Sequence, residues 1–494
     1  MTTSTPATVH RLWLVDRSRY ESGLAFCQME RLLKYHSGPT GYGITRKAQS
    51  MPLVTGSYTH EGLAEICNWV KAEHDAGRRP EVVPDHVIRM AVTVAVGKYH
   101  KTIEARGLRN LDAGERVDNI AQEQASLIEG MILGWCMALL PWMLANFRFV
   151  LIETEELSVV GCTCGLGDHV GDVPVHESRG CHGIGIMNRC DVITERWDIP
   201  GSYGYHEFKT VGQAGDWWIG QWETKIQFAL GIVGAERRLN GKISEMWVHG
   251  LIKGKREGAY DWQTKKKDGP PMQQSVYCYG YRDPGNPPQI MPDWKPKYEY
   301  TDDFGATKRV GKKHKKAGIW EPELEIAQEA ARQGMSPVEY WLRFYLNPAL
   351  IAEQYVLVGP LNRQDVLLEE VIEELIAHEN GWKDKLWQLH AKREELRYAV
   401  PGRELTDAEI EACPDYQALL RFLIQRSWAC RRMGQKYECE MVPYCFKQQG
   451  WQDLLATGNF IPRRPHHLPE LQQAIERGLL PPDEGLADDT LEAE

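Results

Sequence analysis

No apolar run in this chain approaches the roughly 18 residues that a membrane-crossing helix needs, so no membrane partner is expected. The opening residues Met1-Thr2-Thr3-Ser4-Thr5-Pro6 lack a basic stretch leading into an apolar one, so no secretion signal is expected and the expected location is the cytoplasm. Positive charge is not in excess either. Lys and Arg number 58 against 68 Asp and Glu, a net charge of −10, which excludes a protein that coats nucleic acid with its whole surface. A local basic channel is still compatible with that balance, because potential depends on where the charges lie. Two candidates exist: Lys265-Lys266-Lys267, and Lys308 and Arg309 followed by Lys312, Lys313, Lys315 and Lys316, each of which is a solvated loop or a DNA contact. No internal repeat is visible.

What is present is ordinary in bulk. Hydrophobic residues make up 43% and charged residues 26% of 494 residues, enough for two to three domains or one elaborated core. Twelve cysteines in a chain with no sign of secretion argue for metal or cluster chemistry before disulfides. Cys67, Cys136 and Cys278 lie in apolar stretches and are expected to pack as small hydrophobes.

The pattern along the chain predicts five regions. Residues 1–148 read as helical, with helices over Tyr20–Tyr35, from Gly56-Ser57-Tyr58-Thr59 through His60 to Val70, over Pro84–Gly107, and over Val117–Ala145 with a kink at Pro141. Residues 149–285 alternate as a strand-rich core: strands near Phe149–Glu155, Gly183–Ile193, Tyr203–Thr210, Ser244–Ile252 and Gln274–Tyr281, with a helix over Trp217–Leu239. Residues 286–335 form a basic Pro/Gly-rich insertion. Residues 336–461 are helical, with a stripe of Leu367, Val371, Leu375 and Trp382, and end in cysteines. Residues 462–494 read as an acidic, flexible tail. The fold class is α/β: a mixed sheet flanked by helices.

The chemistry gathers on two adjacent strands. Asp191 lies on one, Glu207-Phe208-Lys209 on the next, and Lys209 shares a strand face with Glu207. Two hard oxygen ligands beside an ammonium suit a divalent metal and hydrolysis of a phosphodiester. A second Glu-x-Lys, Glu223-Thr224-Lys225, reads as a solvated helix face with no Asp-bearing strand before it. His60 is either a cap or core histidine in the first turn of its helix, or an imidazole ligand added to a carboxylate metal site. Four scattered cysteines, Cys27, Cys430, Cys439 and Cys445, have the number of thiolates an iron–sulfur cluster or a structural zinc requires.

In this order the residues resemble the RecB-type branch of the PD-(D/E)XK nucleases, and within it the iron–sulfur exonucleases of phages, CRISPR adaptation and AddB-like recombination enzymes. The resemblance spans most of residues 18–450: Cys27, Gly56 and His60, Asp191, Glu207 and Lys209, Gln227, then Cys430, Cys439 and Cys445. It implies a restriction-endonuclease-like core and an Mg²⁺- or Mn²⁺-dependent deoxyribonuclease, an exonuclease rather than an endonuclease, acting on single-stranded or duplex DNA ends. His60, Asp191, Glu207 and the Phe208 carbonyl would hold the metal. Lys209 would orient or help deprotonate the attacking water and offset charge on the phosphorane, and Gln227 would position the water or a phosphate. Cys27, Cys430, Cys439 and Cys445 would hold a structural [4Fe-4S] cluster, with zinc as the rival. The implied setting is phage recombination, repair or CRISPR adaptation, with a protein partner from one of these and, for a phage gene, a bacterial host's cytoplasm. The chain departs from the family pattern at three places: Gln28 follows Cys27 where proline is usual, Gly231 stands where a tyrosine usually follows Gln227 by four, and eight residues separate Cys430 from Cys439.

Two features stay open. Cys162, Cys164, Cys181 and His182, with His169 and His176, read as a zinc knuckle or as an insertion with free thiols. Trp217, Trp218 and Trp222 stack on bases or pack in the core. The alternative to an enzyme is a non-catalytic DNA-binding or assembly scaffold with a structural cluster or zinc; the presence of Asp, Glu, Lys and His together argues against it.

Overall fold

The computed structural model describes residues 13–22, 27–46, 51–105, 114–161, 183–212, 214–253, 262–264, 272–274, 281–282, 299–301, 307–309, 355–362, 364–424, 441, 451–465, 467–476 and 478–480. In chain order the first elements are β1 (Trp13–Val15), α1 (Arg17–Glu21), α2 (Gln28–Tyr35), β2 (Ile44–Arg46), α3 (Met51–Asp75), α4 (Asp85–Ala105), α5 (Gly114–Ala138) and α6 (Leu140–Asn146). Next come β3 (Phe147–Val160), β4 (Ile184–Arg196), β5 (Tyr203–Val211), α7 (Asp216–Gly220), a 3₁₀ turn (Gln221–Thr224), α8 (Ile226–Leu239) and β6 (Ile243–Ile252). Short strands follow: β7 (Trp262–Thr264), β8 (Met272–Gln274), β9 (Tyr281–Arg282), β10 (Glu299–Thr301) and β11 (Thr307–Arg309). The chain then runs through β12 (Tyr355–Asn362), α9 (Asp365–Arg397), α10 (Asp407–Ala412), α11 (Pro414–Leu423), α12 (Trp451–Ala456), β13 (Phe460–Pro462) and α13 (Leu468–Glu476).

The protein is mixed α/β. A six-stranded sheet runs β1-β4-β5-β6-β12, with β3 paired to β4. β3–β4, β4–β5 and β6–β12 are antiparallel; β1–β4 and β5–β6 are parallel, and α8 carries the crossover between β5 and β6. Strands buried on both faces explain the near-continuous apolar runs of β4 and β6. One face packs on α3, α4, α5 and α6 through Phe149, Ile152, Val192, Phe208 and Leu251. The other packs on α8 and the first half of α9 through Ile186, Ile193, Tyr205 and Val248. A third cluster joins α2 to the second half of α9, α10 and α11.

Several expected boundaries shift. The strand-rich core does not stop at 149 and 285: β1 and β12 join the same sheet from outside those limits. A three-residue strand is too short for its alternation to register, and Tyr355-Val356-Leu357-Val358 is β-branched and aromatic enough to pair with β6 rather than continue a helix. The tail expected from 462 is folded at its start: β13 pairs with β2, and α13 buries Glu470 and Leu471. The helix over Tyr20–Tyr35 is two helices, and that over Val117–Ala145 bends by 41° at Leu139, just before Pro141. The tryptophan-rich helix is three pieces, because Lys225 takes an extended backbone (ψ 122°) between the 3₁₀ turn and α8. Of Glu223-Thr224-Lys225, the first two residues thus lie in the 3₁₀ turn and Lys225 at the junction with α8. α3 begins at Met51, so Gly56 lies inside it and His60 is in its third turn, not its first. The single strand expected over Gln274–Tyr281 is not one strand: its ends lie on β8 and β9, which pair antiparallel with Gln274 opposite Tyr281, in a small β7-β8-β9 sheet separate from the main one. Among the described residues no single helix is long and apolar enough to cross a membrane.

Candidate active site

The edge of β4 opposite β3 is divided between two strands. β1 pairs with Ile184–Ile186 and β5 with Val192–Glu195, so Met187 to Asp191 has no ladder partner on that side among the described residues. A notch results, and the polar residues meet in it. The β4–β5 register, Ile193↔Tyr205 and Val192↔His206, brings Asp191 level with Glu207 at the next step. There the ladder stops, and Asp191 Oδ2 accepts the backbone N–H of Phe208 at 2.6 Å. On the other edge, Ile152↔Val192 and Thr154↔Cys190 set Glu153 opposite Asp191.

α3 delivers the histidine, and the glycine four residues earlier explains how. A Cβ at Gly56 would lie 2.8 Å from Thr210 Oγ1, so the missing side chain lets α3 approach β5 closely. One turn on, on the same helix face, His60 Nδ1 lies 3.6 Å from Asp191 Oδ1. Its ring stands edge-on to Phe208 at 6.2 Å. Ligand atoms of His60, Glu153 and Asp191 all lie within 4.8 Å of one another. Glu207 is not in that group. Its Oε1 meets Lys209 Nζ at 2.7 Å and the Gln227 amide, and its Oε2 accepts from the Tyr205 hydroxyl at 3.3 Å. Phe208 takes part through its N–H to Asp191.

The electrostatics follow from crowding three carboxylates into one notch, Asp191 and Glu207 buried and Glu153 half-buried. Burial and the Asp191 charge push Glu153 up to about 7, against the pull of Arg189, whose Nε is 2.7 Å away. Burial and Asp191 likewise raise Glu207, with Lys209 opposing. Asp191 goes the other way: burial works to raise it, but His60, Lys209 and the Phe208 N–H together hold it below the usual carboxylate range. Burial works to lower His60, and Asp191 outweighs it, so the imidazole rises above its ordinary value.

Beneath the site runs a buried polar chain. Trp135 Nε1 donates to His249 Nδ1 (3.4 Å), His249 Nε2 meets His206 Nδ1 (3.0 Å), and His206 Nε2 meets Thr194 Oγ1 (2.9 Å). Indole is only a donor, which fixes both tautomers: each histidine accepts at Nδ1 and donates at Nε2. Burial pushes His249 down to about 3 and His206 well below its ordinary value, so both are neutral and rigidly directed. The Phe208 ring rests on His249 at 5.0 Å.

The sequence reading did not anticipate Glu153, Arg189, Tyr205 or Arg17, which donates to Gln227 Oε1. Glu153 had a signal in the acidic run Glu153-Thr154-Glu155-Glu156 on the strand before the Asp191 strand; its φ of 43° is rare for a side-chain-bearing residue and marks the site. Tyr205 had none. A Cβ at Gly231 would meet the Tyr205 hydroxyl at 2.6 Å, so the glycine on α8 leaves the space that this phenol fills on its way to Glu207. Of the three tryptophans, Trp218 and Trp222 are core residues and Trp217 is 80% exposed.

The cysteines divide. Cys67 and Cys136 are buried in the helical core, as expected of small hydrophobes. Cys27 is buried at the N-cap of α2, in the cluster that also contains Met441, a residue between Cys439 and Cys445 in sequence. Cys430, Cys439, Cys445, Cys162, Cys164, Cys181, His182 and Cys278 lie outside the described residues. Neither a protein-family model nor a curated protein matches this sequence.

Proposed function

We propose that the chain is an Mg²⁺- or Mn²⁺-dependent deoxyribonuclease, acting as an exonuclease on DNA ends, with a restriction-endonuclease-like core of the PD-(D/E)XK type. The observation that carries the reading is the notch: His60, Glu153 and Asp191 within 4.8 Å of one another, next to a Glu207–Lys209 pair at 2.7 Å. The donor set fits a hard divalent cation, being carboxylate oxygens and one imidazole.

His60, Asp191 and Glu153 would hold the ion, with Glu207 on the side of Lys209. An ion there supplies Lewis-acid polarisation of the phosphodiester and acidifies water. The chain's own groups do the rest. Lys209 keeps an ammonium beside Glu207, where it offsets charge gathering on phosphoryl oxygens. Glu207, beside the ion's ligands and 2.7 Å from Lys209, is the carboxylate placed to take a proton from attacking water. Gln227 and Tyr205 both donate to Glu207 and hold its carboxylate in place. The His249–His206 chain keeps Phe208, and with it the N–H that orients Asp191, from moving.

Cys27, Cys430, Cys439 and Cys445 are proposed to hold a [4Fe-4S] cluster joining the ends of the chain; the burial of Met441 with Cys27 supports their closeness. Iron and sulfide analysis after anaerobic purification tests this, and stoichiometric zinc without iron refutes it. The metal site is tested by calorimetric titration of the protein with Mn²⁺. Binding should be saturable and lost in Asp191→Ala; equal binding by the variant rules the site out.

A further inference from the structure

We propose that Arg17 is a positioning residue for the hydrolytic site, an inference that rests on the reading of the notch given above. Arg17 opens α1, directly after β1, so it enters the notch from the strand that bounds its far side. Its Nη1 donates to Gln227 Oε1, and Gln227 Nε2 donates to Glu207 Oε1. A guanidinium has no acceptor, so the Gln227 atom facing it must be the oxygen. The amide NH₂ is then turned toward Glu207. The Glu207 carboxylate selects the same orientation from the other side, since the flipped form would set oxygen against carboxylate; Arg17 adds the donor that holds the amide in place and keeps it from turning away.

Arg17 is itself delivered by an anchored segment. Asp16 caps α1 by accepting from Arg19 N–H at 2.6 Å, and Arg19 Nη1 donates to the Leu14 carbonyl at 2.5 Å. The Arg19 guanidinium forms a buried ion pair with Glu470, and Arg463 lies 3.8 Å from Asp16. The C-terminal segment β13–α13 therefore fixes the helix that presents Arg17. Arg17 acts through Gln227 on Glu207.

The test is Mg²⁺-dependent cleavage of end-labelled DNA by the full-length wild type, Arg17→Met, Arg17→Lys, Gln227→Leu and the double variant R17M/Q227L. Arg17→Met should lower kcat by about ten- to hundredfold, the worth of one charge-assisted hydrogen bond, with KM for DNA and the urea midpoint unchanged. Arg17→Lys should recover part of the loss. On the Gln227→Leu background, Arg17→Met should add nothing. An equal loss on both backgrounds, a rise in KM with kcat intact, or no loss at all overturns the inference while leaving the nuclease reading standing. A wild type that cleaves no DNA with Mg²⁺ or Mn²⁺ overturns the nuclease reading and this inference with it. Should Arg17→Met fail to fold, Arg17→Lys on the two backgrounds gives the same comparison.

Discussion

Glu379→Ala should be among the most destabilising single substitutions in this chain. Glu379 on α9 and Arg31 on α2 are both fully buried, with Arg31 donating to the two carboxylate oxygens at 2.8 and 2.5 Å. Trp13 Nε1 adds a bond at 2.8 Å, and the guanidinium lies 4.5 Å from the centre of the Trp382 ring. Truncating the acid leaves a buried guanidinium without its counter-ion, which costs about 3–5 kcal/mol. The carboxyl gives an independent figure. Burial acts to raise it, but the bonds from His378 and Arg31 win and bring it from 4.5 to about 2. At ~1.4 kcal/mol per unit that is about 3 kcal/mol. Burial lowers the Arg31 guanidinium, yet arginine stays protonated in proteins, so Glu379 carries the titration. A depressed carboxylate contributes its stability above its unfolded pKa and loses it as pH falls through its folded one. The deficit of Glu379→Ala should therefore be full at pH 7 and shrink by about 2 kcal/mol by pH 3. Urea unfolding followed by tryptophan fluorescence measures both, since Trp13 and Trp382 flank the pair. Replacing both partners, R31M/E379L, should recover most of the loss. A deficit below ~1 kcal/mol at pH 7, or one that does not change at pH 3, refutes this reasoning.

Gly231→Ala should push the Tyr205 ring off Glu207, costing about 1–3 kcal/mol by overpacking and lowering cleavage more than Gln227-distant substitutions on α8; a variant of wild-type stability and rate would show the space is not filled as described. Glu153→Gln should stabilise the metal-free protein at pH 8 by up to ~3 kcal/mol, because a carboxyl raised to about 7 contributes fully below its unfolded pKa and loses that contribution as pH rises through 7. Thermal melts with and without Mn²⁺ check it: the ion should raise the wild-type midpoint at pH 8 more than the variant's. Glu470→Ala should cost about 3–5 kcal/mol, since it strands the buried Arg19, and proteolysis near the N-terminus should accelerate; unchanged melting would mean that the C-terminal segment does not hold α1.

The long elements were legible because their periods are strong: β4, β5, β6 and α4 fall close to where apolar spacing sets them, and α8 ends where expected though it starts nine residues late. Asp191, Glu207, Lys209, His60 and Gln227 were picked out by residue type and order along the chain, and the fold brings them near one another. The shape of the site was not. A notch depends on where β1 stops pairing with β4 and β5 starts, and a three-residue strand leaves no period to read. Gly231 shows the same limit from the other side. On the helix it reads as a missing tyrosine, whereas in space it is the gap through which Tyr205 reaches Glu207 from β5. Buried charges such as Arg31, Glu379, Arg19 and Glu470 look like surface residues in sequence, because their partners lie hundreds of positions away.

Cleavage of end-labelled single- and double-stranded DNA with Mg²⁺ or Mn²⁺, comparing wild type with Lys209→Ala, tests the central claim most directly. The wild type should degrade DNA only with the metal, and the variant should fall by about a hundredfold or more while folding normally, as expected when one preorganised charge is removed. Metal-dependent cleavage that survives Lys209→Ala in full, or a wild type inert with either metal, would contradict the account.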